Sequence, residues 1–499
     1  MPVEGVDFSL PPDLIGARKG FGQNMLFYDG LLRKMDGYRK FGTTKANGAI
    51  IQMALYETTS GTRQALRMTG TLIERYNTVT GEWDYIHGPN IAATETDFID
   101  FAMCSELDQS IITSKNKSNI KRYAGGQLVD LAGSPGKAGT CVWFSPYLVI
   151  GDLEESGTAR PQKVKWCNTS AITDWTGGNS GAKLLAHEPS RVKKLLLLND
   201  EAIAYKGGSI YMGRQVSTSE VISWNLLKTD VGLFSSRGIA GIMGLHFFIG
   251  GQRTADDFFI NDGIRVESIG KSVRARILPR INAARPEMTW AIVIERLKEV
   301  WFHICTSGND YPTERWRYNY ETGFWYFDPI NNFTAGLNYQ VVSNRTWDQL
   351  VGSWDAQTFK WDDRSGAAGA PLQLFGDSVG QTYKMASDTR DFDGVAVDGY
   401  FDTSDFTADQ RASKKDWLEL DLWMKGTGNA KVYYSKDEGA TFTFINSYAL
   451  SAEFGDGPTK IYFHVKAGKI RFRIRNSDSE GDLVLKGVQP YFLVSEESR

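Results

Sequence analysis

The sequence lacks a cationic excess: 56 Lys and Arg stand against 59 Asp and Glu, a formal net charge of -3, with only 5 His. Coating a nucleic acid or adhering to an anionic membrane requires many unbalanced positive charges to displace counterions, so both roles are excluded as bulk mechanisms. Cysteine is equally sparse. Cys104, Cys141, Cys167 and Cys305 lie far apart without a C-x-x-C pair, which argues against a zinc site or a disulfide framework and for buried small hydrophobes in a protein made in a reducing compartment. Long apolar runs are missing too; the longest, Leu195 to Leu198, is far shorter than a membrane span, and Met1 to Val6 has no basic region followed by an apolar one. A soluble chain without a signal peptide is expected.

What is abundant is glycine and aromatic side chains: 51 Gly, 14 Trp, 21 Tyr and 27 Phe in 499 residues. Such a composition disfavours disorder and coiled coils. Alternation with a period of two recurs in Ala202 to Tyr205, Glu299 to Ile304 and Lys469 to Arg475, and Thr80-Gly81, Gly207-Gly208 and Asp262-Gly263 supply turns, so the fold reads as nearly all β. Residues 271–284 carry Val273, Ile277 and Ile281 at helical spacing around Pro279, which predicts at most a short helix in a loop.

Repetition defines the architecture. Tyr76-Asn77-Thr78-Val79-Thr80-Gly81-Glu82-Trp83 and Tyr318-Asn319-Tyr320-Glu321-Thr322-Gly323-Phe324-Trp325 share the pattern Y-N-x-x-T-G-x-W, the second copy beginning 242 residues after the first. Five equal steps across that interval are about 48 residues each, the length of one four-stranded propeller blade. Trp175 and Trp224 mark similar strand ends between them. A second match, L-x-G-x-x-x-x-Q-T-(F/Y)-K, occurs from Leu350 to Lys360 and from Leu374 to Lys384. We expect an all-β chain with a β-propeller over 47–390, of seven blades bounded at 47–90, 91–134, 136–182, 185–230, 231–284, 286–332 and 335–388, with six or eight as alternatives. Tyr76, Gly81, Trp83, Tyr318, Gly323 and Trp325 are read as turn and blade-packing residues. Residues 1–46 read as an extended arm and a hairpin turning at Asp29-Gly30, which either completes a blade or reaches a neighbouring subunit. Strands at 417–425, 430–435, 441–445, 460–466, 469–475 and 489–494 predict a β-sandwich over 391–499.

Chemistry-bearing patterns are few. Ser435, Asp437, Gly439, Thr441 and Phe442 fit S-x-D-x-G-x-T-(F/W), an Asp-box hairpin whose carboxylate and hydroxyls satisfy turn amides; it specifies a turn rather than a reaction. A sialidase needs several such boxes and an arginine cluster for the substrate carboxylate. Asp256-Asp257, Asp362-Asp363 and Glu154-Glu155 are adjacent in sequence, so in strands they point to opposite faces and are poorly placed for glycoside hydrolysis. His87, His187, His246, His303 and His464 are scattered, none at metal-ligand spacing, and His303 reads as a packed or surface strand residue. The basic runs at 115–117 and 191–194 read as solvated loops unless oligomerisation gathers them round a channel. No cofactor or metal site is expected.

Two stretches bring a family into view. Asp257 to Gly270, then Glu299-Val300-Trp301-Phe302, then Arg317-Tyr318-Asn319-Tyr320 through Trp325 resemble the order F-x-x-D-G-x-x-V-x-x-I-G … E-V-W-F … Y-N-Y-x-x-x-x-W of bacteriophage tail proteins, among them the nozzle or packaged-DNA stabilisation proteins of short-tailed phages. Asn24-Met25-Leu26 with Gly37 to Gly42, the Asp-box, Arg471 to Arg475 and Gly487 to Leu493 are also similar to theirs. The chain departs from that pattern in having a single box, with Asp437-Glu438-Gly439 in place of Asp-Asp-Gly-Gly. The resemblance implies a virion tail protein without enzyme activity, forming a hexameric ring below the portal and adaptor rings. Its partners would be further copies of itself, the adaptor and other tail proteins. It would retain the packaged genome and pass double-stranded DNA without sequence-specific binding, with no membrane anchor. Two other readings stand beside it. One is a propeller enzyme acting on glycans with the sandwich as its carbohydrate-binding module. The other is a receptor-binding module whose aromatics, Tyr433, Tyr434 or Phe444, contact sugar.

Overall fold

The computed structural model describes residues 20–28, 30–115, 117–216, 220–242, 244–330, 332–339, 371–407 and 414–494. Six sheets of four antiparallel strands follow one another, each in simple sequence order from its first strand outward. Their first strands are Gln52–Glu57, Asp100–Cys104, Lys137–Phe144, Val192–Leu198, Ile239–Ile242 and Trp290–Ile294, one for each of blades 1 to 6. Blade 7 begins with Phe333–Tyr339, Leu372–Asp377 and Thr382–Ala386, and takes its fourth strand, Gly37–Lys40, from the other end of the chain. The first strand of blade 7 packs against that of blade 1, so the ring closes. The fold is a seven-bladed propeller joined to a sandwich.

Both faces of every blade are covered, and the apolar side chains divide accordingly. On the first strand of blade 3, Cys141 and Trp143 enter a core shared with blade 2, whereas Val142 and Phe144 enter one shared with blade 4. Among the described residues each pair of neighbouring blades shares such a core, including blades 7 and 1, where Ala335, Tyr339 and Leu374 meet Ile50, Met53 and Trp83. This is the physical reason the period is so regular: a blade alone cannot bury two apolar faces, and a neighbour on each side can.

The sandwich has its own core, around Trp417, Leu420, Phe472 and Ile474. One sheet runs Phe21–Gln23, Gly399–Asp402, Arg471–Asn476, Asn429–Ser435, Thr443–Ala449; the other runs Met25–Tyr28, Leu31–Lys34, Leu483–Val494, Lys415–Gly426, Thr459–Ala467. The N-terminal residues therefore do not form a separate unit ending at 46. Residues 21–34 supply an edge strand to one sandwich sheet and a hairpin to the other, and 37–40 close the propeller. The strand Gly399–Asp402 was also missed by periodicity, because four residues are too few to establish it. In the 271–284 segment the helix is a single turn, Arg274–Ile277, continued by a 3-10 turn holding Pro279; Val273, Ile277 and Ile281 are buried as their spacing requires.

Candidate functional site

The two Y-N-x-x-T-G-x-W segments occupy the same position, the hairpin between the third and fourth strands of blades 1 and 6. In blade 1 the Asn77 Oδ1 accepts from the amides of Val79 and Thr80, and Gly81, at φ +74°, donates to the Asn77 carbonyl at 2.9 Å. In blade 6 Asn319 accepts from Glu321 and Thr322, and Gly323, also at φ +74°, donates to the Asn319 carbonyl at 2.8 Å. A side chain at either glycine would be strained in that left-handed conformation. Each tryptophan reaches back to the preceding blade: Trp83 Nε1 donates to the Phe41 carbonyl beside blade 7, and Trp325 Nε1 to the Ile269 carbonyl of blade 5. Tyr76 stacks on Phe41, and Tyr318 packs on Trp325. The Leu374 to Lys384 motif spans a hairpin of blade 7; its partner at 350–360 lies outside the described residues, as does Asp362-Asp363.

The Asp-box has the geometry its chemistry dictates. Asp437 Oδ1 accepts from the Thr441 amide at 2.9 Å, its Oδ2 accepts from the Thr441 hydroxyl at 2.5 Å, and the Ser435 hydroxyl accepts from the Gly439 amide at 2.9 Å. The Ser435 and Thr441 hydroxyls and the Thr441 amide together hold the Asp437 carboxyl well below the usual carboxylate range. Phe442 lies under the Arg473 guanidinium, 3.8 Å from its ring centre. Arg471, Arg473 and Arg475 share one face of their strand by alternation and pair with Asp405, Asp402 and Asp398 respectively. Of the three aromatics offered for sugar, Phe444 is exposed and meets the half-buried Tyr433 edge-on, while Tyr434 points inward against Phe463.

The basic run at 191–194 is not a solvated loop. Lys193 and Lys194 begin the first strand of blade 4, and both are bonded to other blades. Lys193 Nζ donates to the carbonyls of Leu233, Phe234 and Gln252 at the entry to blade 5. Burial lowers its ammonium to about 8. Lys194 Nζ pairs with Asp100 of blade 2, whose other oxygen accepts from Thr140 of blade 3. Opposite, Arg237 donates to the Glu287 and Thr334 carbonyls, and the Thr334 hydroxyl donates to the Ile50 carbonyl at 2.6 Å, linking blades 5, 6, 7 and 1. The polar groups of the inner strands thus hold blade to blade. His303 is fully buried and stacked on Trp290 at 3.8 Å; burial, with Arg315 and Arg237 near, pushes its imidazole well below the usual value, so it is neutral. Glu155 pairs with Lys163 and Lys165, and Asp257 with Arg274. No group of three or more His, Cys, Asp or Glu among the described residues is placed to hold a metal, and the four cysteines are free and buried.

The densest buried polar cluster lies where blade 6 meets the N-terminal segment. Asp328 Oδ2 accepts from Arg315 Nε at 3.0 Å and from Arg317 Nε at 2.7 Å, and its Oδ1 accepts from the Asn24 amide at 2.8 Å. Arg317 also pairs with Glu299 at 3.0 Å and donates to the Met25 carbonyl. Burial works against the charge of Arg317, but Asp328 and Glu299 more than restore it and hold the guanidinium above its ordinary value. Arg315 reaches the Tyr38 hydroxyl at 2.5 Å. Asp36, between the sandwich hairpin and the closing strand, accepts from Arg33 at 2.5 Å, Arg296 of blade 6 at 2.9 Å and Arg390 beyond blade 7 at 3.1 Å. A cleft of about 250 Å³ lies beside this cluster, lined among others by Asn24, Asp36, Tyr38, Arg315, Phe392 and Asp398. Sequence reasoning gave these residues no role of their own. The available signal was Arg315 and Arg317 alternating in a strand of a propeller, where neither face is open to water.

No family model matches the chain, and no curated protein does. Among solved structures it is similar to the Pan2 WD40 domain of Neurospora crassa, at 7% identity over 70% of this chain and 94% of that one with a TM-score of 0.41. It is likewise similar to U3-55K, at 10% identity over 70% of this chain and 98% of that one with a TM-score of 0.42.

Proposed function

We propose that the chain is a structural subunit of a bacteriophage tail, one protomer of a nozzle or connector ring that retains packaged DNA and forms the conduit for its ejection. The observation that carries this reading is the interlock: one N-terminal segment of some twenty residues contributes strands to both sandwich sheets and to the last blade. It is held on blade 6 by buried groups: Asp36 pairs with Arg296, the Asn24 amide donates to Asp328, and Arg317 donates to the Met25 carbonyl. Propeller and sandwich thereby become one block without a free linker, as a ring wall under the pressure of packed DNA requires. The order of motifs shared with short-tailed-phage nozzle proteins supports the same reading. A net charge of -3 suits a conduit, because a surplus of cations would retain the phosphates it has to release.

In this reading six copies assemble through one repeated interface below the adaptor, and the work is assembly rather than catalysis. Native mass spectrometry and negative-stain microscopy of the purified chain, alone and with its adaptor ring, test it. Closed rings with a central bore are the expected result. A chain that stays monomeric in both conditions, or that hydrolyses a reporter glycan, refutes it.

A further inference from the structure

The solvent face of the second sandwich sheet carries an ordered set of side chains that the fold does not need. In its central strand Lys415–Gly426, Trp417, Leu420, Leu422 and Met424 enter the core. A register irregularity after Trp417 leaves Glu419, Asp421 and Trp423 on the opposite face. Glu419 lies between Tyr462 on one neighbouring strand and Tyr491 on the other; Asp421 lies between Lys460 and Gln489; Trp423 is opposite Gly487. The two tyrosines, 69% and 43% exposed, stand about two strand spacings or ~10 Å apart.

At the centre of this lattice Asp421 is only 3% exposed, yet its Oδ1 has no hydrogen-bond partner. Lys460 Nζ is 3.9 Å from it, beyond hydrogen-bond reach, and is engaged with Glu419 Oε1 at 2.6 Å. A buried acceptor left without a donor costs roughly 1–3 kcal/mol, so a partner that brings a donor to this point is favoured. Loss of water raises the Asp421 carboxyl above its ordinary value, with Glu419 adding to the effect.

We propose that this face binds a neutral oligosaccharide chain, with Tyr462 and Tyr491 stacking on two non-adjacent sugar rings and Asp421, Glu419 and Gln489 accepting from or donating to the hydroxyls of the chain. Three features select that ligand. The backbone groups of the central strand are already bonded to both neighbours, so a peptide cannot add a strand there and any ligand is read by side chains alone. Sugar rings offer C–H faces to flat, half-exposed aromatics and hydroxyl donors to carboxylates, which is the mixture present. Asp416, Glu419 and Asp421 on this face are matched by Lys425, Lys460 and Lys466, so neither sign dominates and a charged glycan gains no attraction there. The site is distinct from Tyr433 and Phe444, which lie on the other sheet, and its assignment does not rest on the nozzle reading.

Affinity electrophoresis of the full chain tests it, in gels containing neutral glucan, galactan, mannan or xylan and, in parallel, polygalacturonate or alginate. At least one neutral polysaccharide is expected to retard the protein. Tyr462→Ala, Tyr491→Ala and Asp421→Asn should each weaken that retardation at least tenfold, while Tyr85→Ala on the propeller leaves it unchanged. Circular dichroism of the variants verifies the fold, above all for Asp421→Asn, whose side chain is buried. Failure of every neutral polysaccharide to retard the chain, retardation by the acidic ones instead, or retention of binding in both tyrosine variants overturns the assignment. Ring assembly is scored separately, so loss of one result leaves the other standing.

Discussion

Replacing Asp328 with asparagine removes one charge and almost no volume from the cluster that joins blade 6 to the N-terminal segment. Arg315, Arg317, Glu299 and Asp328 are 0–2% exposed at their side chains and together neutral. Asp328→Asn leaves a net positive charge buried among them. Its Oδ1 remains an acceptor for the Asn24 amide, so the loss falls on the ion pairs rather than on the backbone contact. Two guanidinium nitrogens within 3.0 Å lose their anionic partner, and breaking a buried pair in this way costs roughly 3–5 kcal/mol. Urea unfolding at pH 7 should show that loss, and amide exchange should show faster opening of residues 24–38. Glu299→Gln is the informative comparison: it removes the other carboxylate from Arg317 but touches no residue of the N-terminal segment, so its global cost should be similar and its effect on 24–38 smaller. A loss below about 1 kcal/mol for Asp328→Asn, or unchanged protection of 24–38, would refute the view that this cluster holds the two parts together.

Trp83→Ala and Trp325→Ala should each cost about 3–5 kcal/mol in urea unfolding, and their effects should add, because the two side chains serve interfaces on different blades; a non-additive pair would argue against separate inter-blade cores. Glu82 accepts from the hydroxyls and amides of Thr43 and Thr44, which lowers its carboxyl from 4.5 to about 2. Because the folded value is depressed, its contribution is complete above the unfolded value and disappears as pH falls toward 2. The difference in melting temperature between the native chain and Glu82→Gln should be largest above pH 4.5 and vanish near pH 2, and a constant difference would contradict this. Deleting residues 1–46 should leave an aggregating product by size-exclusion chromatography, since it opens blade 7 and strips strands from both sandwich sheets; a monomer melting like the full chain would show that the interlock is dispensable. Asp437→Ala should speed exchange at the Gly439 and Thr441 amides, with a global cost within about 1 kcal/mol in urea unfolding.

The propeller was legible because its information is local. Asn77 and Asn319 make the same turn with the same two amides, Gly81 and Gly323 take the same left-handed conformation, and a period follows from their separation. The Asp-box was legible for the same reason, all its hydrogen bonds lying within seven residues. The pairing of strands distant in sequence was not. Gly37–Lys40 carries no sign in the sequence that its partner is Thr382–Ala386, and Phe21–Gln23 is too short to signal that it pairs with Gly399–Asp402. Charged residues were misread where their partners are remote: Lys193 looks like a surface lysine until the carbonyls of Leu233 and Phe234 close over it, 40 and 41 residues away. The outward lattice around Asp421 was hidden by the irregularity after Trp417, which shifts the alternation within a strand that otherwise reads as a simple core element.

The N-terminal segment also dictates how the molecule has to come together. The last blade is complete only when Gly37–Lys40 joins a strand more than three hundred residues downstream, and the sandwich only when Leu31–Lys34 joins Leu483–Val494. Closing loops of that size has an entropic cost that grows slowly with length, so the penalty is met once and is shared if both closures use the same short segment. Docking of residues 21–40 therefore completes propeller and sandwich in one event. The two parts should consequently open together rather than in sequence. Force applied at the sandwich passes to the ring through paired strands, through Arg296 on Asp36, and through the bonds of Asp328 and Arg317 to Asn24 and Met25, instead of stretching a linker. Under load, neither half is therefore expected to yield before the other.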